Sequence, residues 1–192
     1  MKGKIPAHAK KVFSGILYDV YHWEQRLPGN HSKTFEAVKK LDTVVVFASV
    51  GDKVLLAKEK RIGIPTEIGA LGGHIEKNEK PLHAAKRELL EESGYASNNW
   101  KLLAVWDHSN LTVEQRNYFF AAGNCRKTSE AQLDDGEVIT LLKVNFDKMI
   151  SMASKSKKFN RYTGNYIKEI SKSKASKKSF KNALFQSKVK IS

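Results

Sequence analysis

The chain has one cysteine among 192 residues, Cys125, which excludes a disulfide framework and any multi-thiolate metal site. Its histidines, His8, His22, His31, His74, His83 and His108, fall at no zinc-ligand spacing. Neither a Ser-His-Asp nor a Cys-His constellation can be argued from these positions. Long apolar runs are missing too. The stretch Val12 to Tyr18 is broken by Ser14 and Gly15, runs into Asp19, and carries no small-residue cleavage site. No membrane span or secretory leader is expected, and a reduced cytoplasmic location follows. No internal repeat is visible. Acids are scarce: 20 Asp and Glu face 34 Lys and Arg, for a net charge of +14.

That charge is uneven. From Met152 to Ser192 there are twelve basic residues and one acid, Glu169, so the rest of the chain is nearly neutral. The length suits one domain plus an appendage. The expected organisation is a strand pair over residues 1–40, a body over 41–153, and a Lys/Ser-rich tail over 154–192. In the tail, Tyr162, Tyr166, Ile167 and Ile170 suggest a short amphipathic helix docked on the body. From Ser171 onward the composition resembles a disordered basic arm. Such an arm would attract RNA or another polyanion.

Strand signals come first along the chain. Lys11 to Trp23 reads as one or two strands ending near the turn Pro28-Gly29-Asn30, with Lys33 to Lys40 as the return. Thr43 to Val50 is almost continuously apolar, and with Lys53 to Ala57 it reads as a buried hairpin. Trp100 to Trp106, Asn117 to Ala122 and Glu137 to Val144 read as further strands, and Asp147 to Ser154 as a helix. Strands before and after a central helix point to an α+β fold, an α/β/α sandwich.

The central helix carries the chemistry. Pro81 suits its first turn and Gly94 its left-handed end. Leu82, Ala85 and Leu89 share the core-facing stripe, and Glu88, Glu91 and Glu92 share the adjoining one. Three carboxylates within little more than a turn repel one another and raise their own pKa values unless a cation neutralises them. Oxygen-only clusters suit hard cations, and Mg²⁺ commonly binds through carboxylates together with substrate phosphates. Arg87 lies one turn before Glu91, so it can hold that carboxylate or Glu79 in one rotamer. The run Gly69-Ala70-Leu71-Gly72-Gly73 lets the backbone approach a cation closely.

Spacing adds specificity. Gly73, five residues, Glu79, seven residues, Arg87-Glu88-Leu89, one residue, Glu91-Glu92, one residue, then Gly94-Tyr95 resembles the Nudix box, with tyrosine where an aliphatic residue is usual. The resemblance implies a Nudix-type α/β/α sandwich with a mixed central β-sheet. It also implies a Nudix hydrolase, an acid anhydride hydrolase that cleaves a nucleoside diphosphate linked to another moiety. Glu88, Glu91 and Glu92 would then ligate Mg²⁺ (Mn²⁺ serving as well), helped by the Gly72 carbonyl. Arg87 belongs to the same catalytic set. The proton acceptor would be a box glutamate or Glu114, because in several Nudix branches it comes from a loop outside the box. Arg61 is the candidate for substrate phosphate, while Trp106 and Tyr118 suit core packing.

Val54 to Arg61 and Asp134 to Ile139 are similar to segments of ADP-ribose and nucleotide-sugar pyrophosphatases. That branch carries a proline past the box where this chain has Asn110-Leu111. A homodimer through residues 11–40 follows from the same analogy. The alternatives are an RNA-end or nucleoside triphosphate pyrophosphohydrolase, with the tail recruiting RNA, and a non-catalytic nucleotide sensor or nucleic-acid-binding regulator.

Overall fold

Side-chain alternation on three strands sets the architecture of this computed structural model, which describes residues 5–186 apart from 62, 111 and 157. In β4 (Thr43–Val50), the first half of β5 (Lys53–Arg61) and β10 (Arg116–Gly123) both faces are buried. Val44, Val46, Ala48, Leu55, Ala57, Phe120 and Ala122 face one side. Val45, Phe47, Val54, Leu56, Phe119 and Ala121 face the other. A strand covered on both sides needs apolar residues throughout, which is why Val44 to Ala48 has no polar partner in its alternation.

β4 is central. It runs parallel to β10, with Val44 beside Tyr118 and Val46 beside Phe120, and antiparallel to β5. The strands β8 (Asn99–Asp107) and β12 (Glu137–Asn145) flank these, in the order β12-β5-β4-β10-β8, and β6 (Glu67–Gly69) adds to β5. The sheet is therefore mixed, as expected. Helix α1 (Pro81–Ser93) covers the first face through Ala84, Ala85 and Leu89. Helices α2 (Phe146–Lys155), α3 (Arg161–Ser171) and α4 (Lys174–Phe185) cover the second. This is the α/β/α sandwich of the α+β class.

A second sheet precedes it. β1 (Lys10–Ser14), β2 (Tyr18–Leu27) and β3 (His31–Lys40) form an antiparallel meander, and β9 (Val113–Glu114) joins β3 in parallel. The long hairpin turns at Pro28 to Asn30, where Gly29 and Asn30 have positive φ. β7 (Tyr95–Ala96) and β11 (Arg126–Lys127) make a small separate ladder.

The tail departs from the reading of its composition. Residues 174–185, expected in a disordered arm, form α4. Ser173 caps it by accepting from the Ser176 amide. Phe180 and Leu184, one turn apart, are buried, and Phe180 meets the Phe47 ring edge-on at 4.9 Å. Ser49 Oγ donates to the Leu184 carbonyl at 2.5 Å. An average over Lys and Ser hides the two residues that dock the helix. The helix expected around Tyr162 to Ile170 is α3, and Tyr166 stacks on Phe119 at 4.6 Å. The last residues of the tail, 187–192, lie outside the described ones. Among the described residues no helix is long and apolar enough to cross a membrane.

Candidate metal and phosphate site

Helix α1 begins with Pro81 at its first positions and ends at Gly94, whose φ of 69° is left-handed and whose amide donates to the Leu90 carbonyl at 2.7 Å. Between them the helix lies close to the sheet because Ala84 and Ala85 are small and fully buried. That approach presses the glycine run before it against the box carboxylates. A Cβ on Gly73 would stand 2.5 Å from Glu88 Oε1, and one on Gly72 would stand 2.1 Å from the Val44 carbonyl oxygen. Gly72 also has φ of 142°, which side chains rarely adopt. Gly72 therefore needs glycine, and a side chain at Gly73 would push the Glu88 carboxylate aside.

Arg87 organises three carboxylates at once. It donates to Glu79 through Nε and Nη2 at 3.1 and 3.0 Å, and through Nη1 to Glu88 and Glu91 at 2.9 Å each. Its Nη2 also donates to the His74 carbonyl at 2.9 Å. The guanidinium therefore serves Glu79 and Glu91, the two partners expected of it, and Glu88 as well. Bonding to Arg87 lowers the Glu79 pKa below its usual value.

Glu92 behaves differently. It lies on the buried side of α1, 6% exposed, and not on an open stripe beside the apolar residues. Its Oε2 accepts from the Gly72 amide at 2.7 Å, and no ion pair reaches it among the described residues. Burial pushes its pKa well above the carboxylate range, with Glu88, Glu137 and Glu59 adding repulsion. Glu88 is raised to about 7, again by burial first, against the pull of Arg87. These two acids hold negative charge poorly without a cation. All donors here are oxygens, and the backbone of Gly72 lies against Glu92, so the residues fit a hard divalent ion. Among the described residues, however, no three acids or imidazoles converge in ligating geometry. Glu88 and Glu91 are drawn onto Arg87.

Two acids join the cluster that the box does not include. Glu59, late in β5, and Glu137, first in β12, sit in adjacent strands and grip Arg61 between them. Arg61 Nη2 reaches Glu137 Oε1 at 2.7 Å. Glu137 is itself pushed upward, by burial first. Arg61 lines two neighbouring open clefts. One, of about 270 Å³, is lined also by Glu59, Ile64, Pro65, Glu67, Gly72 and Asn160. The other, of about 360 Å³, includes Ile64 and Asp134 to Glu137. The segments Val54–Arg61 and Asp134–Ile139 carried the signal for Glu59 and Glu137, but only pairing of β5 with β12 shows that they meet.

Glu114 is elsewhere. It lies in β9 on the N-terminal sheet, where it accepts from the Ile5 amide at 3.3 Å and pairs with Lys39 at 3.6 Å. Trp106 packs on Phe119 at 4.9 Å and on Tyr166 at 5.6 Å, and Tyr118 is half-buried against the α1 face, so both serve the core. At the missing proline, Asn110 Oδ1 accepts from the amides of Thr112 and Val113 at 2.8 and 2.9 Å, closing a turn by side chain.

The NUDIX domain family model matches residues 39–163. An ADP-ribose pyrophosphatase of Bacillus subtilis (strain 168) is 25% identical over 164 residues, 84% of this chain and 89% of that protein. A methanol dehydrogenase activator of Bacillus methanolicus is 25% identical over 157 residues, 80% and 85% of the two. A crystal structure of an ADP compounds hydrolase superposes with a TM-score of 0.70 over 86% of this chain and 91% of its own, at 19% identity, and that likeness concerns the fold alone.

Proposed function

The chain belongs to the Nudix family of hydrolases, and on that premise we propose that it is an Mg²⁺-dependent pyrophosphohydrolase cleaving ADP-ribose or a nucleotide-sugar diphosphate. One observation carries the metal dependence: Glu92 is buried with the Gly72 amide as its hydrogen-bond donor and no ion-pair partner among the described residues. The substrate class rests on the ADP-ribose pyrophosphatase of similar length. It rests also on Arg61, set between two clefts beside the box.

Glu88, Glu91, Glu92 and the Gly72 carbonyl are the residues that would hold the ion. When bound, Mg²⁺ supplies charge for the diphosphate oxygens and a more acidic water. The chain's own residues do the rest. Arg87 holds Glu79, Glu88 and Glu91 beside the ion's place, and Glu88 and Glu91 would turn from the guanidinium to ligate. The Gly72 amide fixes Glu92. Arg61 carries the positive charge that meets the substrate phosphates at the mouth of the clefts. Attack of water on phosphorus also needs a proton acceptor within hydrogen-bond reach. Of the acids outside the box, Glu137 adds repulsion to Glu88 and Glu92 and lines a cleft with Arg61, whereas Glu114 lies in the N-terminal sheet. Glu137 is the better proton acceptor.

The homodimer is part of this proposal. β1, the bend after it and the start of β2 expose Val12, Phe13, Ile16, Leu17 and Tyr18, an apolar edge that a second copy would cover. Sedimentation as a monomer at micromolar concentration would remove it.

The deciding experiment incubates the protein and Mg²⁺ with ADP-ribose, nucleotide sugars, nucleoside triphosphates and 5′-triphosphorylated RNA, and identifies the products. Nucleoside monophosphate plus a sugar phosphate, abolished by EDTA, is the expected result. Release of pyrophosphate from RNA ends alone would replace this substrate class with the RNA-end reading. Lost cleavage in Glu137→Gln, with activity kept in Glu114→Gln, assigns the proton acceptor.

A further inference from the structure

The helical layer on the far side of the sheet carries charge that the hydrolytic site does not use. Residues 146–186 contain eleven basic residues and two acids, Asp147 and Glu169. Each of those acids pairs with one lysine, Lys177 at 3.2 Å and Lys172 at 2.5 Å.

On α4, Lys174, Lys177, Lys178 and Lys181 recur at i, i+3, i+4 and i+7, so they form one stripe beside the buried Phe180 and Leu184. The stripe opposes its own helix in two ways. Lys174–Lys178 and Lys177–Lys181 are like-charge pairs at i,i+4. The first turn holds lysines and no acid, against the positive end of the helix dipole. Packing of Phe180 and Leu184 keeps the helix in place in spite of both effects. An external polyanion would relieve both.

The surroundings narrow the polyanion. Lys177 and Lys181 lie 5.8 and 5.6 Å from the Phe146 ring centroid. Beside Lys181 an open cleft of about 510 Å³ is lined by Phe146 and Phe185 together with Asn145, Asp147 and the Gly51-Asp52 turn. A membrane surface is a poor fit, because amphipathic helices enter lipid with exposed apolar residues. Here Phe180 and Leu184 face the core, and among the described residues of this layer the one large hydrophobic side chain exposed is Tyr162 on α3. A protein partner is also a poor fit, since lysine is depleted in protein interfaces.

From this juxtaposition we propose that α4 docks the phosphate backbone of a single-stranded nucleic acid, with the aromatic cleft beside Lys181 admitting a base. Lysines act as point charges on phosphates and read no sequence. From Lys174 to Lys181 the stripe spans about 10 Å, enough to meet consecutive phosphates of one strand. An unpaired base can enter such a cleft, whereas a base in a duplex stays stacked.

The test measures binding of the full-length protein to a short mixed-sequence single-stranded RNA by fluorescence anisotropy across KCl concentrations. The same RNA as a duplex and anionic phosphatidylglycerol vesicles serve as comparison arms. The triple variant Lys174→Gln/Lys178→Gln/Lys181→Gln should bind the single strand at least about tenfold more weakly. Its log–log salt slope should shrink by about 2 units, at 0.7 per lost phosphate contact. Circular dichroism should match the parent and thermal unfolding should match or slightly exceed it, because glutamine keeps helix propensity close to that of lysine and relieves the like-charge pairs. Unchanged RNA affinity and salt slope in that variant would overturn the proposal. So would preference for the duplex, or binding to vesicles with none to RNA.

Discussion

On one face of the central sheet α1 lays Ala84, Ala85 and Leu89 against Val44, Val46 and Phe120. On the other face α2 to α4 lay Met149, Ile167, Phe180 and Leu184 against Phe47 and Phe119. The first face uses small residues because its helix must bring carboxylates to within van der Waals reach of the Gly72-Gly73 backbone. Almost any larger side chain there would displace an oxygen. The second face interlocks large rings, and its outer surface is free to be basic. One layer is constrained by chemistry at fixed spacing, and the other by volume.

The largest effect that separates the faces is expected from Glu92→Gln. Hydrolysis should fall by at least about 10³-fold, about 4 kcal/mol of transition-state stabilisation. The metal-free variant should nevertheless unfold at the same temperature or higher, because an amide avoids the burial of charge that Glu92 bears. Steady-state kinetics beside calorimetry reads both. Activity within a few-fold of the parent would break the assignment of chemistry to α1.

Next comes Phe180→Ala on the opposite face. It removes a ring packed against Phe47, Tyr166 and Phe146. A loss of about 3–5 kcal/mol is expected by denaturant titration. Turnover per folded molecule should stay near the parent's. Loss of turnover without loss of stability would mean the faces are coupled through the sheet.

Slightly smaller is the pH effect. The folded-state pKa of Glu88 is raised to about 7, above the ordinary glutamate range, so the folded protein keeps a proton that the unfolded chain releases. The stabilisation is present below the unfolded value and is lost as pH rises through about 7. For Glu88 it amounts to roughly 3 kcal/mol, and Glu92 acts in the same direction. Glu79, lowered by Arg87, has the opposite sign and loses stability only as pH falls through its folded value. In EDTA, melting temperature should therefore drop between pH 5 and 8, and excess Mg²⁺ should restore it. A flat profile in EDTA would show that Glu88 is not held near neutrality by burial.

Much of the acidic face was legible in the chain itself. Gly73, Glu79, Arg87 and Gly94 stand at offsets that local geometry alone enforces, since a helix turn and its caps are short-range. The position of Glu92 was only partly legible: periodicity placed it beside the apolar stripe, and its burial depends on how close Ala84 and Ala85 let the sheet come. The basic face was misjudged from composition, because Phe180 and Leu184 among lysines and serines become a docking stripe only when Phe47 and Tyr166 are there to receive them.

Sequence alone settled the family, the helix that carries the box, the two-sided burial of β4, and the uneven charge, because each is written in residues close along the chain. Tertiary structure decided that Glu59 and Glu137 close around Arg61 beside the box, that Glu114 belongs to another sheet, and that α4 is ordered. Those contacts join segments tens of residues apart, and register between strands, which no local pattern encodes, brings them together.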